Sequence, residues 1–183
     1  MGVGMADSKP QIEILFSSAD IAKRNEDLAE EIADDLGHDI LVIAVLKGSF
    51  VFAADLIRSL HHAGVQPQID FMALSSYGDK TISSGTVVIT RDIVDTVKGR
   101  KVLLIDDILE SGRTMDFAKN DLLSRGAETV KTCLMLDKKG KRVNDFEADF
   151  VGFDCPDLFV IGYGLDYAHY YRELPYIGYI VQN

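Results

Sequence analysis

The sequence predicts an α/β fold, a mostly parallel twisted sheet flanked by helices, and three observations carry that expectation. Ile40-Leu-Val-Ile-Ala-Val-Leu46 and Val102-Leu-Leu-Ile105 are continuous apolar runs without the alternation of a half-exposed strand, as in parallel strands buried on both faces. Each leads into a glycine-containing turn and then a stretch of helical periodicity. Strand and helix patterns alternate through the middle of the chain, the order that strand-helix-strand units produce. Ligands on such sheets bind beyond the carboxyl ends of the strands.

The elements follow in order. Ser17 or Ser18 can cap a helix running to about Leu36, with Ile21, Leu28, Ile32 and Leu36 on one stripe and Gly37 ending it. After the Ile40 to Leu46 strand, Lys47-Gly48-Ser49 is a turn, and Phe50 to His62 reads as a helix with Val51, Ala54, Leu56 and Ile57 inward and Gly64 closing it. A strand near Gln68 to Leu74 ends in Ser75-Ser76-Tyr77-Gly78, and the polar segment Asp79 to Gly85 reads as a lid or a plain connection. Thr86 to Thr90 alternates as a strand should, and Asp95 to Gly99 is a turn. The strand from Val102 is followed by a helix reaching Gly126, and Thr129 to Leu136 is the next strand. Asp149 to Phe153, Leu158 to Tyr163 and Ile177 to Val181 are short strands, the first two separated by a Cys-Pro-Asp turn.

At 183 residues the chain suits one domain. A hydrophobic fraction of 47% with 26% charged residues suits a globular protein, and no run approaches the ~18 apolar residues of a membrane span. Met1 to Pro10 has neither a basic leader nor an apolar core, so no signal peptide and a cytoplasmic location are expected. Cys133 and Cys155 stand 22 positions apart with no ligand-type spacing and read as core thiols, and no histidine pair has metal-ligand spacing. A net charge of −10 argues against a nonspecific grip on nucleic acid. Against that balance, Lys138-Lys-Gly-Lys-Arg142 places four bases in five positions, either a solvated loop or an attraction for a polyanion.

Chemistry concentrates in residues 102 to 115. Asp106 and Asp107 follow the apolar run where a parallel strand reaches the carboxyl edge of its sheet. Ser111, Gly112, Arg113 and Thr114 fall where a helix begins, so their amides lack intrahelical acceptors and can hold a phosphate. With Glu110 between them, the run points to a phosphorylated sugar. Three other readings fit less of it. A phospho-accepting receiver domain carries its acidic pair near the N-terminus. A dinucleotide-binding domain needs Gly-x-Gly-x-x-Gly, which neither strand-helix junction has. A simple helix cap accounts for one aspartate only. Lys47-Gly48, Ser75 to Gly78, Asp106 to Thr114 and Asp137-Lys138 all follow predicted strands, so one sheet edge and one site are expected.

These motifs also carry a resemblance. Val102 to Met115 is similar to the phosphoribosyl pyrophosphate signature of the type I phosphoribosyltransferases. From about Leu15 onward the chain resembles that family's bacterial hypoxanthine (6-oxopurine) branch, through Leu46-Lys-Gly48, Ser75-Ser-Tyr-Gly78, Leu136-Asp-Lys138, Phe150-Val-Gly-Phe153 and Phe159-Val-Ile-Gly-Tyr-Gly-Leu-Asp166, with Arg172 beyond.

The resemblance implies transfer of ribosyl 5′-phosphate from phosphoribosyl pyrophosphate to N9 of a 6-oxopurine, giving IMP or GMP and pyrophosphate in purine salvage. It implies a sheet-and-helix core over about 18–137 and a small hood from about 11–17 and 138–183. In that scheme Asp106 and Asp107 take the ribose hydroxyls. Glu110 to Thr114 hold the 5′-phosphate, with hydroxyls from Ser111 and Thr114 and close approach at Gly112. Lys47, Gly48 and Arg172 take the pyrophosphate, and Ser76 and Tyr77 belong to the binding set in the segment that closes over the reaction. Phe159 stacks on the purine, Lys138 donates to its 6-oxo group, and the Val160 backbone meets its edge. Mg²⁺ is the implied counter-ion, with Asp166, Asp106 and Asp107 as its carboxylates. A homo-oligomer, dimer or tetramer, is implied as well, and so is a cis peptide at Lys47-Gly48. Glu110 departs from the family's usual aspartate at the proton-handling slot; the longer side chain keeps the same role as general base. A phosphoribosyl-pyrophosphate-sensing RNA-binding regulator on the same fold is the alternative, and the acidic net charge disfavours it.

Overall fold

A computed structural model describes residues 10–77 and 86–181. Their secondary structure runs β1 (Ile12–Phe16), α1 (Ser18–Leu36), β2 (Leu41–Leu46), α2 (Phe50–His62), β3 (Gln68–Tyr77), β4 (Thr86–Arg91), β5 (Lys101–Leu109), α3 (Arg113–Ser124), β6 (Thr129–Asp137), β7 (Phe150–Asp154), β8 (Val160–Ile161) and β9 (Ile177–Ile180). Six strands form one sheet in the order β4-β3-β2-β5-β6-β7. All neighbours in it are parallel except β4, which turns back antiparallel along β3 at the edge. The α/β class expected from the apolar runs is the one found.

The non-alternating character of β2 has a direct cause. Leu41, Val42, Ile43 and Ala44 are all fully buried, because both faces of the sheet are covered. Val42 and Ala44 face the cluster that α1 and α2 close with Leu28, Ile32, Phe52 and Leu56. Leu41, Ile43 and Val45 face the cluster that α3 closes with Met115, Ala118 and Leu122. Each fully buried aliphatic of this size contributes about 1.5–3 kcal/mol of transfer free energy, so a central strand has no place for a polar residue until it leaves the core.

Helix α1 begins at a reciprocal cap. The Asp20 amide donates to Ser17 Oγ at 3.2 Å, and the Ser17 amide donates to Asp20 Oδ2 at 3.0 Å. At the far end, Gly37 takes φ 80°, which a side chain would disfavour. Helix α2 has the bounds expected for it but a different inner face. Phe52, Ala53, Leu56 and Leu60 are buried, whereas Ala54 is exposed and Val51 and Ile57 are only half-buried, because the helix is rotated toward α1.

Three further results depart from expectation. Strand β5 continues through Asp106 and Asp107 to Leu109, since Asp106 and Ile108 still pair with Leu134 and Leu136 of β6. The strand expected over Leu158 to Tyr163 shortens to Val160–Ile161, because Gly162 and Gly164 turn the chain at φ 92° and 97°. Ile12–Phe16, for which no strand was expected, forms β1 and pairs antiparallel with β9; with β8 these make a second, three-stranded sheet. Val160, Tyr163, Leu165 and Ile177 bring this second sheet into the same cluster as α1 and α2. The segment read as a lid lies outside the described residues from Gly78 to Gly85.

Candidate active site

The carboxyl ends of the parallel strands bring most of the expected residues to one edge. Ser76 of β3, Asp106 and Glu110 at the end of β5, and Ser111, Gly112 and Thr114 of the following turn line a cavity of about 270 Å³. Gly112 precedes α3 at φ 84°, a conformation that favours glycine, and a Cβ there would lie 2.2 Å from Asn144 Oδ1 and have to displace that side chain. Gly112 and Thr114 line the cavity at the start of α3, where the helix dipole favours an anion. The Ser111 hydroxyl accepts from the Arg113 amide at 3.3 Å. From behind, the Val143 amide donates to Ser111 O at 3.1 Å and Arg142 Nη1 donates to Glu110 O at 2.6 Å.

Asp106 and Asp107 carry an electrostatic load. Burial, and then the adjacent Asp107 carboxylate, push Asp106 well above the usual carboxylate range. Burial also raises Asp107, while the nearby Arg172 guanidinium pulls the other way. Two crowded, desolvated carboxylates favour any positive centre placed beside them. Asp107 also abuts the Lys47-Gly48 turn so closely that a Cβ on Gly48 would fall 1.7 Å from its Oδ2. The cis peptide of this turn is Leu46-Lys47, one bond earlier than the resemblance implied.

Lys138 meets Glu110, which lines the cavity. Lys138 is almost fully buried, and its ammonium pairs with Glu110 Oε1 at 2.8 Å and donates to Leu158 O at 2.9 Å. Its backbone amide donates to Leu109 O at 2.8 Å, which locks the end of β6 to the end of β5. An ammonium has three donors and these side-chain bonds use two, so one remains for a ligand. Phe159, next along from Leu158, is 58% exposed and meets the Tyr167 ring edge-on, centroids 5.6 Å apart. A large aromatic presented in this way beside a donor and an acceptor suits a flat heterocycle. Val160 is buried in β8 opposite Tyr179.

Arg172 organises the remaining group. It pairs with Asp166 Oδ1 at 2.9 Å and donates to Gly164 O at 2.6 Å, while Asp166 Oδ2 accepts from the His169 amide at 2.8 Å. Tyr77 is the last residue of β3, opposite Thr86. Among the described residues no three acidic, histidine or cysteine side chains converge as a metal cage. The basic stretch Lys138 to Arg142 is not a uniformly solvated loop. Arg142 bridges the buried Asp137 and the Glu110 carbonyl, so its side chain braces the 110–114 turn. Nothing in the sequence separates Arg142 from its exposed neighbours Lys139 and Lys141.

A cradle of helix-terminal amides, a carboxylate pair at the strand end and an aromatic shelf with a buried lysine define a fold and site for handling a phosphorylated sugar and a planar base. Residues 11–168 match the family described as the phosphoribosyl transferase domain, and the chain belongs to it. Among curated relatives, the hypoxanthine-guanine phosphoribosyltransferase of Aquifex aeolicus is 42% identical over 94% of this chain and 96% of its own length. The hypoxanthine phosphoribosyltransferase of Escherichia coli is 37% identical over 94% of this chain and 97% of its own length. Among solved structures, the hypoxanthine-guanine phosphoribosyltransferase of Bacillus anthracis superposes with a TM-score of 0.87 at 41% identity, covering 94% of this chain and all of that one. The hypoxanthine phosphoribosyl transferase of Trypanosoma cruzi gives 0.90 at 36% identity, over 96% and 94% of the two chains.

Proposed function

We propose that the protein is a hypoxanthine phosphoribosyltransferase of purine salvage, moving the ribosyl 5′-phosphate group of phosphoribosyl pyrophosphate onto N9 of hypoxanthine, and of guanine. The observation that carries the base half is the Lys138–Glu110 pair at 2.8 Å. It sets a cationic donor beside a carboxylate acceptor, the complement of a 6-oxo group beside an imidazole nitrogen that carries or sheds a proton. A 6-amino group would bring a second donor toward the Lys138 ammonium and leave it unpaired, the kind of mismatch that discriminates strongly.

The steps follow from the residues. The amides of 110–114 and the Ser111 and Thr114 hydroxyls hold the 5′-phosphate, which fixes the sugar with C1′ toward the base. Asp106 and Asp107 accept from the ribose hydroxyls. As the bond from C1′ to pyrophosphate loosens, positive charge grows on the ribose, and the crowded carboxylates stabilise it more than they stabilise the neutral sugar. Arg172, Lys47 and the Gly48 backbone receive the negative charge that builds on the leaving group. Phe159 and the Val160 backbone hold the purine so that N9 faces C1′. Glu110 takes or relays the proton of the base as the new bond forms. The second sheet covers the reaction from water.

Mg²⁺ suits the donor set. It is ordinarily held by one or two carboxylates together with substrate phosphates and water, rather than by an all-protein cage. Asp166, with Asp106 and Asp107, would hold such an ion as it arrives with pyrophosphate, and it would neutralise leaving-group charge. No described helix is long and apolar enough to cross a membrane. Reaction in the cytoplasm and assembly as a dimer or tetramer are part of the proposal. Incubation with phosphoribosyl pyrophosphate, Mg²⁺ and hypoxanthine, guanine or xanthine separately, with nucleotide and pyrophosphate followed, tests it. IMP and stoichiometric pyrophosphate are expected; no product from any 6-oxopurine would refute it.

A further inference from the structure

Tyr163 has no part in the chemistry just described, yet its surroundings are unusually constrained. Gly162, Tyr163 and Gly164 take φ 92°, 52° and 97° in succession, and the middle residue bears a large side chain in a conformation that side chains disfavour. The residue is 4% exposed. Its amide donates to Leu174 O at 2.9 Å, its hydroxyl donates to Asp55 Oδ2 at 2.7 Å, and the same hydroxyl accepts from Asn25 Nδ2 at 2.8 Å. Asn25 is itself buried on α1, and Asp55 lies on α2, the helix that begins just after the Lys47-Gly48 turn. One residue beyond Tyr163, a Cβ on Gly164 would lie 2.2 Å from Gly48 O, so the two backbones are in direct contact there. Gly164 and Arg172 exchange two hydrogen bonds, and Arg172 pairs with Asp166.

The segment that carries Asp166 is therefore attached to the α2 unit at two points. One is the backbone contact at Gly48 and the other is the hydroxyl at Asp55. A single contact would let the segment pivot; two fix its angle as well as its distance. We propose that Tyr163 is a positioning residue whose hydroxyl sets the Asp166–Arg172 pair against the Lys47-Gly48 turn, and so sets the grip on pyrophosphate. This rests on the assignment of those residues to the pyrophosphate side of the site. A tyrosine buried only to fill the core would affect stability and leave that grip unchanged.

The test is Tyr163→Phe, which removes one oxygen and keeps the ring. The expected result is a rise of about tenfold in the KM for phosphoribosyl pyrophosphate and in the inhibition constant of pyrophosphate, with the KM for hypoxanthine within about twofold of wild type. Asp55→Ala should match it, the double variant should be no worse than either single, and Asp55→Asn, which keeps an acceptor, should return both constants to within about twofold. The Asp55 variants read the same contact if Tyr163→Phe does not accumulate as folded protein. A lower melting temperature with wild-type constants, or effects that multiply in the double variant, would overturn the proposal. Calorimetric titration of pyrophosphate with Mg²⁺ makes the comparison without turnover. Absence of transfer by the wild type would count against the functional reading, whereas equal pyrophosphate affinity in wild type and Tyr163→Phe would count against this one.

Discussion

Replacing Glu110 by glutamine separates chemistry from binding more cleanly than any other change at this site. The substitution keeps the shape of the side chain and an oxygen that can accept from Lys138, and it leaves the backbone carbonyl that Arg142 grips at 2.6 Å untouched. Two things are lost, the negative charge 2.8 Å from the Lys138 ammonium and the capacity to take a proton. The Glu110 side chain is 43% exposed but that of Lys138 only 5%, so losing the charge leaves a buried ammonium facing a neutral acceptor, at a cost of about 1–3 kcal/mol. For a chain of this size that corresponds to a fall of about 2–12 °C in melting temperature. The proton-transfer role is read separately, in the rate. Loss of a positioned general base costs about 10²–10⁴-fold in rate, or about 2.7–5.4 kcal/mol of transition-state stabilisation. Steady-state kinetics with hypoxanthine as the varied and then the saturating substrate should show kcat down by that factor. The KM for phosphoribosyl pyrophosphate should stay within about threefold, because the sugar phosphate is held by amides of the 110–114 turn. A kcat equal to wild type would remove Glu110 from the mechanism. A fall confined to KM would make it a binding group only.

Lys138→Met should lower kcat/KM for hypoxanthine by at least about tenfold and narrow its preference over adenine, since the donor for the 6-oxo group is gone; an unchanged ratio between the two bases would refute that role. Gly48→Ala puts a methyl group 1.7 Å from Asp107 Oδ2 and must displace that carboxylate, so kcat/KM for phosphoribosyl pyrophosphate should fall by about 10²-fold, and wild-type kinetics would show that Asp107 is not held against the turn. Asp70 tests the acid side of stability: burial opposes its ionisation, but the Asp95, Phe71 and Val94 amides together hold its carboxyl below the usual range. A carboxyl depressed in the folded state stabilises fully above its unfolded value near 3.9 and loses that contribution as pH falls through the folded value. Asp70→Asn should therefore be less stable than wild type at pH 7, by about 1–3 kcal/mol, with the gap in melting temperature closing below about pH 4; an equal gap at both pH values would sink the assignment.

What could be read from the chain alone divides along physical lines. Strand β2, the bounds of helix α2 and the turn at 110–114 were legible because each is set by its own few residues: a run buried on both faces, a helical stretch between two turns, a glycine where φ must be positive; the buried face of α2 was not, since it depends on the packing against α1. Strand β1 was not, since Ile12–Phe16 is short and irregularly buried and becomes a strand only by pairing with β9, more than 160 residues later. The same distinction holds within the site. Asp106, Asp107 and Ser111 to Thr114 announce themselves because the strand-turn-helix that presents them is local. That Lys138 would lose almost all contact with water while facing Glu110 is a property of β5 lying beside β6, and the basic cluster around Lys138 conceals it. Arg142 shows the cost of reading composition there. Four bases in five positions look interchangeable, yet Lys139 and Lys141 pair with acids at the exposed rim, whereas Arg142 is turned inward onto Asp137 and the Glu110 carbonyl. Tyr163 is the corresponding case beside the Asp166–Arg172 pair. Two flanking glycines mark a sharp turn, but only the packing of α1 and α2 reveals that the tyrosine between them ties that turn to the helix of the opposing loop. The residues proposed to hold substrate are thus the more legible ones, because a ligand is met by local backbone geometry. The residues that hold those residues in place depend on which strands and helices become neighbours.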